Sequence, residues 1–264
     1  MIDSYLPVII ILVFGVPHGA ADTYLAKKIG LTCNIFKTIL FVAGYVMVAF
    51  LFFAVWHLNS LLFLFIFFII SVYHFSNDHY FNSSVIERLS SHSIILFASF
   101  IIKENEVYTI LRSLLKNDAD TVIFVHSIQF IFYLSFIIYL SSYFISSKKV
   151  LIEVFIMLAV SIVFNPIWYF TIYFCLLHSY KNFKSIFYLI GPNIKNYSSM
   201  FFNTILVYII FVITFIFHEK GLFSLEEIVI RNMFILLACL SVPHIFFQEI
   251  IKKNLTKISL SNIV

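Results

Sequence analysis

Charge is what this 264-residue sequence has least of: Asp, Glu, Lys and Arg together make only 11% of it. Soluble domains carry about 25% charged residues, so this composition cannot furnish a water-facing shell. Cysteine is scarce too. Cys33, Cys175 and Cys239 are odd in number, far apart and without a CxxC pair, which excludes a disulfide framework. Neither HExxH, nor a P-loop, nor a dinucleotide-binding glycine fingerprint is present, so those chemistries drop out. The multiple HxxxH and HxxHH set of membrane di-iron hydroxylases and desaturases is missing as well. The apolar stretch from Tyr5 to Phe14 lacks a basic start and runs into Pro17-His18, so a removable leader is not expected. There is no internal repeat, and no low-complexity tract beyond the general hydrophobicity.

What is there is apolar: the residues AVILMFWYC reach 62%, against roughly 45–50% in soluble domains. The expected fold is an all-α, polytopic transmembrane helical bundle forming one membrane domain over 1–264. Apolar runs lie near 5–26, 36–56, 60–76, 86–102, 121–146, 150–178, 199–217 and 229–250, and at about 20 residues per span they give about 8–9 crossings. The run 150–178 is too long for one span and contains Asn165-Pro166. Proline removes a backbone donor and disfavours helix in the residue before it, so a break there gives two short helices and nine passes.

With nine passes, alternate connections divide the basic residues unevenly. Lys27, Lys28, Lys37, Arg88, Lys148, Lys149, Lys181, Lys184, Lys195, Lys252, Lys253 and Lys257 share one side, and Lys103, Arg112, Lys116, Lys220 and Arg231 the other. Cytoplasmic loops carry the Lys and Arg excess. The N-terminus is therefore expected outside, the C-terminus in the cytoplasm, and the chain multi-pass in the inner (cytoplasmic) membrane. Without the break, the bias weakens. The net charge of +4 is scattered over loops, so no nucleic-acid partner is expected. The 34 Phe accompany abundant Ile, Lys, Asn and Tyr, the pattern of an AT-rich genome rather than of a ring-stacking surface. The polar connection 103–120 reads as a short amphipathic helix lying on the membrane surface, with Val107, Ile110, Leu111, Leu114 and Leu115 on one side.

The histidines carry the chemistry. His57, His126 and His218 fall near outer helix ends, and His79 and His92 at or near the inner interface, where an imidazole needs no special role. His18, His74, His178 and His244 differ: they fall on the first, third, seventh and ninth passes, each in the inner half of its helix or at its inner end. Polar groups at membrane depth usually face a bundle interior or cavity, and neutral imidazole suits iron, copper or zinc. One shared mononuclear metal site is the favoured reading; the alternative is a hydrogen bond from each ring to a neighbouring helix. Asp22, Asp78 and Glu249, four or five residues after His18, His74 and His244, are candidates to accept the second ring N–H of a ligand, or are ordinary helix-end charges. Gly15 and Gly19 around Pro17-His18 allow a kink and a close backbone approach.

At these residues the sequence resembles the bacterial Brp/Blh-type beta-carotene 15,15'-dioxygenases. Gly15-Val-Pro-His-Gly-Ala-Ala-Asp22 matches that family's Gly-x-Pro-His-Gly-Ala-x-Asp signature. His74-Phe75 matches a His-Phe-Gly motif with Ser76 in place of Gly, Phe174-Cys-Leu-Leu-His-Ser179 matches Phe-Cys-x-x-His-Ser, and Pro243-His244 matches a late Pro-His pair. The resemblance implies Fe(2+) held by His18, His74 and His178, and cleavage of beta-carotene by dioxygen into two all-trans-retinal. A lipid-soluble carotenoid, O2 and membrane lipid would be the partners, with a retinal-binding acceptor protein for the product. Some members carry a further His where this chain has Asn182, so the fourth ligand is His244, the Asn182 carbonyl oxygen, or an open position. Tyr73, Phe75, Phe174 and Tyr180 are candidate tunnel walls, with core packing as the alternative. Two other classes compete: an envelope glycan or acyl transferase, and a His-lined metal transporter. Neither accounts for four His motifs in this order.

Overall fold

The structure, a computed structural model, describes residues 2–77, 84–115, 117–141, 148–184, 194–216 and 224–261, with the backbone alone at 2–4, 18, 194–199 and 252–261. The described chain is helical, as the composition requires. α1 (Ile2–Ile10) runs through a π-helical stretch, Ile11–Gly15, into α2 (Val16–Ala20), and α3 (Asp22–Lys28) follows after a turn at Ala21. Then come α4 (Ile35–Leu58), α5 (Ser60–Ser76), α6 (Val85–Ile102), α7 (Glu104–Leu115) and α8 (Asp118–Ser141). α9 (Lys148–Val163) and α10 (Pro166–Thr171) precede a second π stretch, Ile172–Ser179; α11 (Ile194–Ile216) and α12 (Leu225–Ser261) complete the bundle.

Among the described residues, four helices are long and apolar enough to cross a membrane: α4, α6, α8 and residues Leu225–Ile251 of α12; Tyr5–Gly15, Ser60–Ser76 and Met200–Ile216 are shorter apolar helices. α4 exposes Ile39, Leu40, Met47, Phe50 and Leu51, which suits hydrocarbon and not water. α6 is the opposite, buried from Ser90 to Phe100 and packed on α5, α8 and α9.

The boundaries follow from local chemistry. Asn59 ends α4 and caps α5, its side chain accepting from Leu62 N at 2.9 Å, so the chain reverses on one residue. Asn165 does the same for α10 by accepting from Trp168 N at 2.9 Å, with Pro166 at the first helical position, where a missing N–H costs nothing. The predicted break is therefore present. Lys181, beyond the second π stretch, reaches back to Glu153 near the start of α9 at 3.2 Å, which makes the two arms an antiparallel hairpin.

Pro17 accounts for the first π stretch. Val16 N bonds back five residues to Ile11 O; Pro17, lacking an N–H, cannot do the same to Leu12 O. The hydroxyl of Tyr208 on α11 supplies that bond, donating to Leu12 O at 2.8 Å.

One expectation is corrected. The segment 103–120 does contain an amphipathic helix, α7, but Val107, Leu111, Leu114 and Leu115 are buried in the protein, against α8 and α12, not laid on a membrane surface. The indole of Trp56 donates to Leu114 O at 3.2 Å and the Arg231 guanidinium lies over the same indole at 5.1 Å, fixing α7 to α4 and α12.

Candidate functional site

Three of the four singled-out histidines come together from three helices. His74, near the end of α5, lies between the others: its ring centroid is 4.9 Å from that of His178 in the second π stretch and 5.3 Å from that of His244 in α12. His178 and His244 are buried, and His74 is half-buried. The side chain of His18 lies outside the described residues, but its backbone is in α2, next to Gly19, where an added Cβ would stand 3.7 Å from His244 Nδ1. Among the described residues, no three His, Cys, Asp or Glu side chains form a ready-made metal-binding set; the ring contacts run pairwise through His74.

Asp22 organises one side of the cluster. His244 donates Nδ1–H to its Oδ2 at 2.7 Å, Tyr45 OH donates to the same oxygen at 3.2 Å, and Gln248 Nε2 donates to Oδ1 at 3.2 Å. Asp22 is only 2% exposed, and a buried carboxylate needs such donors. The sequence made Asp22 a candidate partner of His18, whose side chain lies outside the described residues. A turn at Ala21 separates the two positions, and among the described residues the carboxylate meets His244, 222 residues away. Glu249, half-buried on α12, is not needed for that role, and Asp78 lies outside the described residues. Tyr45 had no sequence signal, being near no motif, whereas Gln248, four residues after His244, was open to the same helical-spacing argument.

Asn182 is where the sequence reading placed it, beside His178, with its amide nitrogen 3.3 Å from the ring Nε2. The π winding brings Phe174 under the same imidazole, stacked at 5.7 Å and 19°. Phe75 meets it edge-on at 4.6 Å. Of the four proposed wall aromatics, Phe75 and Phe174 line a cleft at the cluster. Tyr73 and Tyr180 do not: they are 45% and 63% exposed on outward faces.

That cleft opens between α2, α4, α5, α11 and α12, with His74, His244 and Asp22 on its wall and apolar side chains over nearly all the rest. Ligand pockets commonly place a few polar groups in an apolar lining. The remaining histidines are accounted for locally. His92 donates Nδ1–H to Arg88 O at 2.8 Å, His57 packs on Phe53 and Trp56, and His126 is exposed; His79 and His218 lie outside the described residues.

The two signature glycines differ. A Cβ at Gly15 would stand 2.4 Å from Phe174 Cε1, whereas one at Gly19 would meet only ordinary contact. Gly15→Ala must displace Phe174 from His178. It is expected to cost about 1–3 kcal/mol as overpacking and to lower activity, while Gly19→Ala stays near wild type. Thermal unfolding in detergent and turnover of both variants check the contrast.

Residues 9–252 match the model of the family described as beta-carotene 15,15'-dioxygenase. No curated protein matches, and no solved structure matches. The match covers most of the chain, and the chain belongs to that family.

Proposed function

We propose, with that membership as the premise, that this protein cleaves beta-carotene at its central 15,15' double bond using dioxygen and releases two molecules of all-trans-retinal. The carbon–carbon double bond breaks and two carbon–oxygen double bonds form. Each aldehyde takes one atom of the dioxygen, which is the oxidant, so no further reductant is consumed. The observation that carries this reading is the meeting of His74, His178 and His244 at an apolar cleft.

The donor chemistry fits iron: neutral imidazoles suit it, and a ligating His commonly gives its other N–H to a carboxylate, as His244 does to Asp22. His74, His178, His244 and, from the signature, His18 would hold Fe(2+), which when bound supplies the activation of dioxygen. The chain's own residues do the rest. Asp22 keeps the His244 proton on Nδ1, so any metal bond made by His244 is through Nε2. Tyr45 and Gln248 hold that carboxylate in place, and Asn182 orients His178. Phe75 and Phe174 keep water from the imidazoles. Beta-carotene has no polar group for a protein to grip, so cleft shape must set which bond is presented.

The reading also places the protein in the inner membrane as a multi-pass chain of nine passes, N-terminus outside and C-terminus cytoplasmic. The antiparallel hairpin at Asn165 supports the ninth pass. Two cleft walls, α4 and α11, carry exposed apolar side chains such as Met47, Phe50, Ile209 and Val212, which suits a substrate dissolved in the bilayer. Expression in a beta-carotene-accumulating bacterial host, with retinoids separated by chromatography, tests the activity. Retinal absent from the host alone is expected; aldehydes of other chain lengths, or none from inserted and iron-loaded protein, would refute central cleavage.

A further inference from the structure

A second apolar cleft lies between α5, α6, α7, α10 and the second π stretch, with Phe234 of α12 on its wall. The two clefts are not independent. Phe67, Ser71 and Phe75 line both. These residues are spaced by four, so they form one stripe of α5, about 12 Å long at the helical rise. The stripe is a ridge with a notch: Ser71, small and 3% exposed, sits between two phenylalanines. The histidine cluster is at the end of this ridge. His74 adjoins Phe75, and the Phe75 ring contacts His74 at 5.6 Å, His178 at 4.6 Å and Tyr173 at 5.3 Å. Consecutive residues of the π stretch serve opposite sides, Tyr173 the second cleft and Phe174 the first.

We infer that the two clefts are the two arms of one substrate channel, joined over Ser71, and that the protein binds a long apolar polyene with one end group in each arm. The inference rests on the proposed carotenoid reading and adds the binding mode that makes the cut central. His74 follows Ser71 by three residues on α5, within one helical turn, so a chain lying across the ridge at Ser71 passes the histidines near its middle. Cleavage near one end would instead require a single deep cleft with the cluster at its mouth. The walls agree with such an occupant. Both clefts are apolar, and the second contains no charged side chain, only Ser71, Ser99, Tyr169 and Tyr173 as polar residues; Tyr169 OH is committed to the Ile95 carbonyl. α7 has a role here that its amphipathic pattern could not reveal: Val107, Ile110, Leu111 and Leu114 close the second arm.

The test uses the full chain with Ser71→Leu, which fills the notch, Ser99→Leu, which fills the second arm away from the histidines, and Thr109→Ala, an exposed position on α7 that lines neither cleft. Two probes are compared: beta-carotene, and a one-ringed apocarotenal truncated just past the central bond. Cleavage of beta-carotene is expected to fall about 100-fold in both leucine variants, the scale of misplacing a reacting bond by about 1 Å. The short apocarotenal is expected to react in Ser99→Leu as in wild type and to lose less than beta-carotene does in Ser71→Leu, and Thr109→Ala to be indistinguishable from wild type on both probes. If Ser71→Leu fails to insert, Ser99→Leu decides. Equal loss on both probes, or full activity on both, overturns the two-arm channel. Retention of carotenoid by the purified proteins, read from visible absorbance, provides a readout without turnover. A wild type that makes no retinal but retains carotenoid, and loses it in both leucine variants, would refute the cleavage reading and leave the channel standing.

Discussion

His74→Ala is expected to bring retinal formation down to the background of the host. His74 is the middle ring of the cluster, in contact with both His178 and His244, so its loss breaks the cluster where it is joined. The fold is expected to survive. The His74 side chain lines the cleft, so alanine enlarges a space that already exists and does not open a void in a packed core. α5 stays anchored by the buried Phe63, Leu64 and Phe75. The check is retinoid chromatography from cells in which membrane-inserted wild type and variant are matched by quantitative blotting. A loss smaller than about 10-fold, the low end of what removing a partner of a metal ligand costs, would take His74 out of the ligand set.

The second large effect is expected at Asp22. Asp22→Ala removes the acceptor of three bonds at once, leaving His244 Nδ1, Tyr45 OH and Gln248 Nε2 without it in a buried setting. Tyr45 OH keeps Leu240 O at 3.4 Å as a second acceptor; each donor left stranded costs about 1–3 kcal/mol, and Asp22 no longer holds the imidazole. Asp22→Asn keeps the volume and one carbonyl oxygen but loses the carboxylate charge that faces His244 Nδ1. Outer partners of metal ligands are worth about 10–100-fold in affinity or activity. Alanine is expected at or beyond the upper end of that range, and asparagine at the lower end. Rates of retinal formation for the two variants, taken with their bound iron, check the order. Equal activity of Asp22→Ala and wild type would leave Asp22 a structural residue only.

What the sequence could reveal was whatever rests on local chemistry. Asn165-Pro166 marked a helix break because an Asn cap and a Pro at the first helical position are local devices. The convergence of His74, His178 and His244 was visible because depth along each helix can be counted from the basic loops. Partners across the bundle were not visible. Asp22 was a candidate partner of His18 or an ordinary helix-end charge, and nothing in the chain announced that it would meet His244 of α12. Tyr45 lies beside no motif, and Gln248, one turn after His244, was passed over for the charged Glu249 next to it. The periodicity of α7 showed that one face must be covered, and could not show whether lipid or protein covers it. Tyr73 and Tyr180 were selected for adjacency to a motif histidine or its flank, yet one step along a helix turns a side chain through about a quarter of a circle. The π stretches were hidden too, although Pro17 supplies the cause of the first.

The most direct test of the account is the iron content of protein purified from the membrane without chelators and handled anaerobically, comparing wild type with His74→Ala and His244→Ala. The expected result is about one iron per wild-type chain, lost from both variants while helicity and carotenoid retention persist. Active wild-type protein without iron, or iron held equally by all three, would contradict the claim that this histidine cluster is the metal centre.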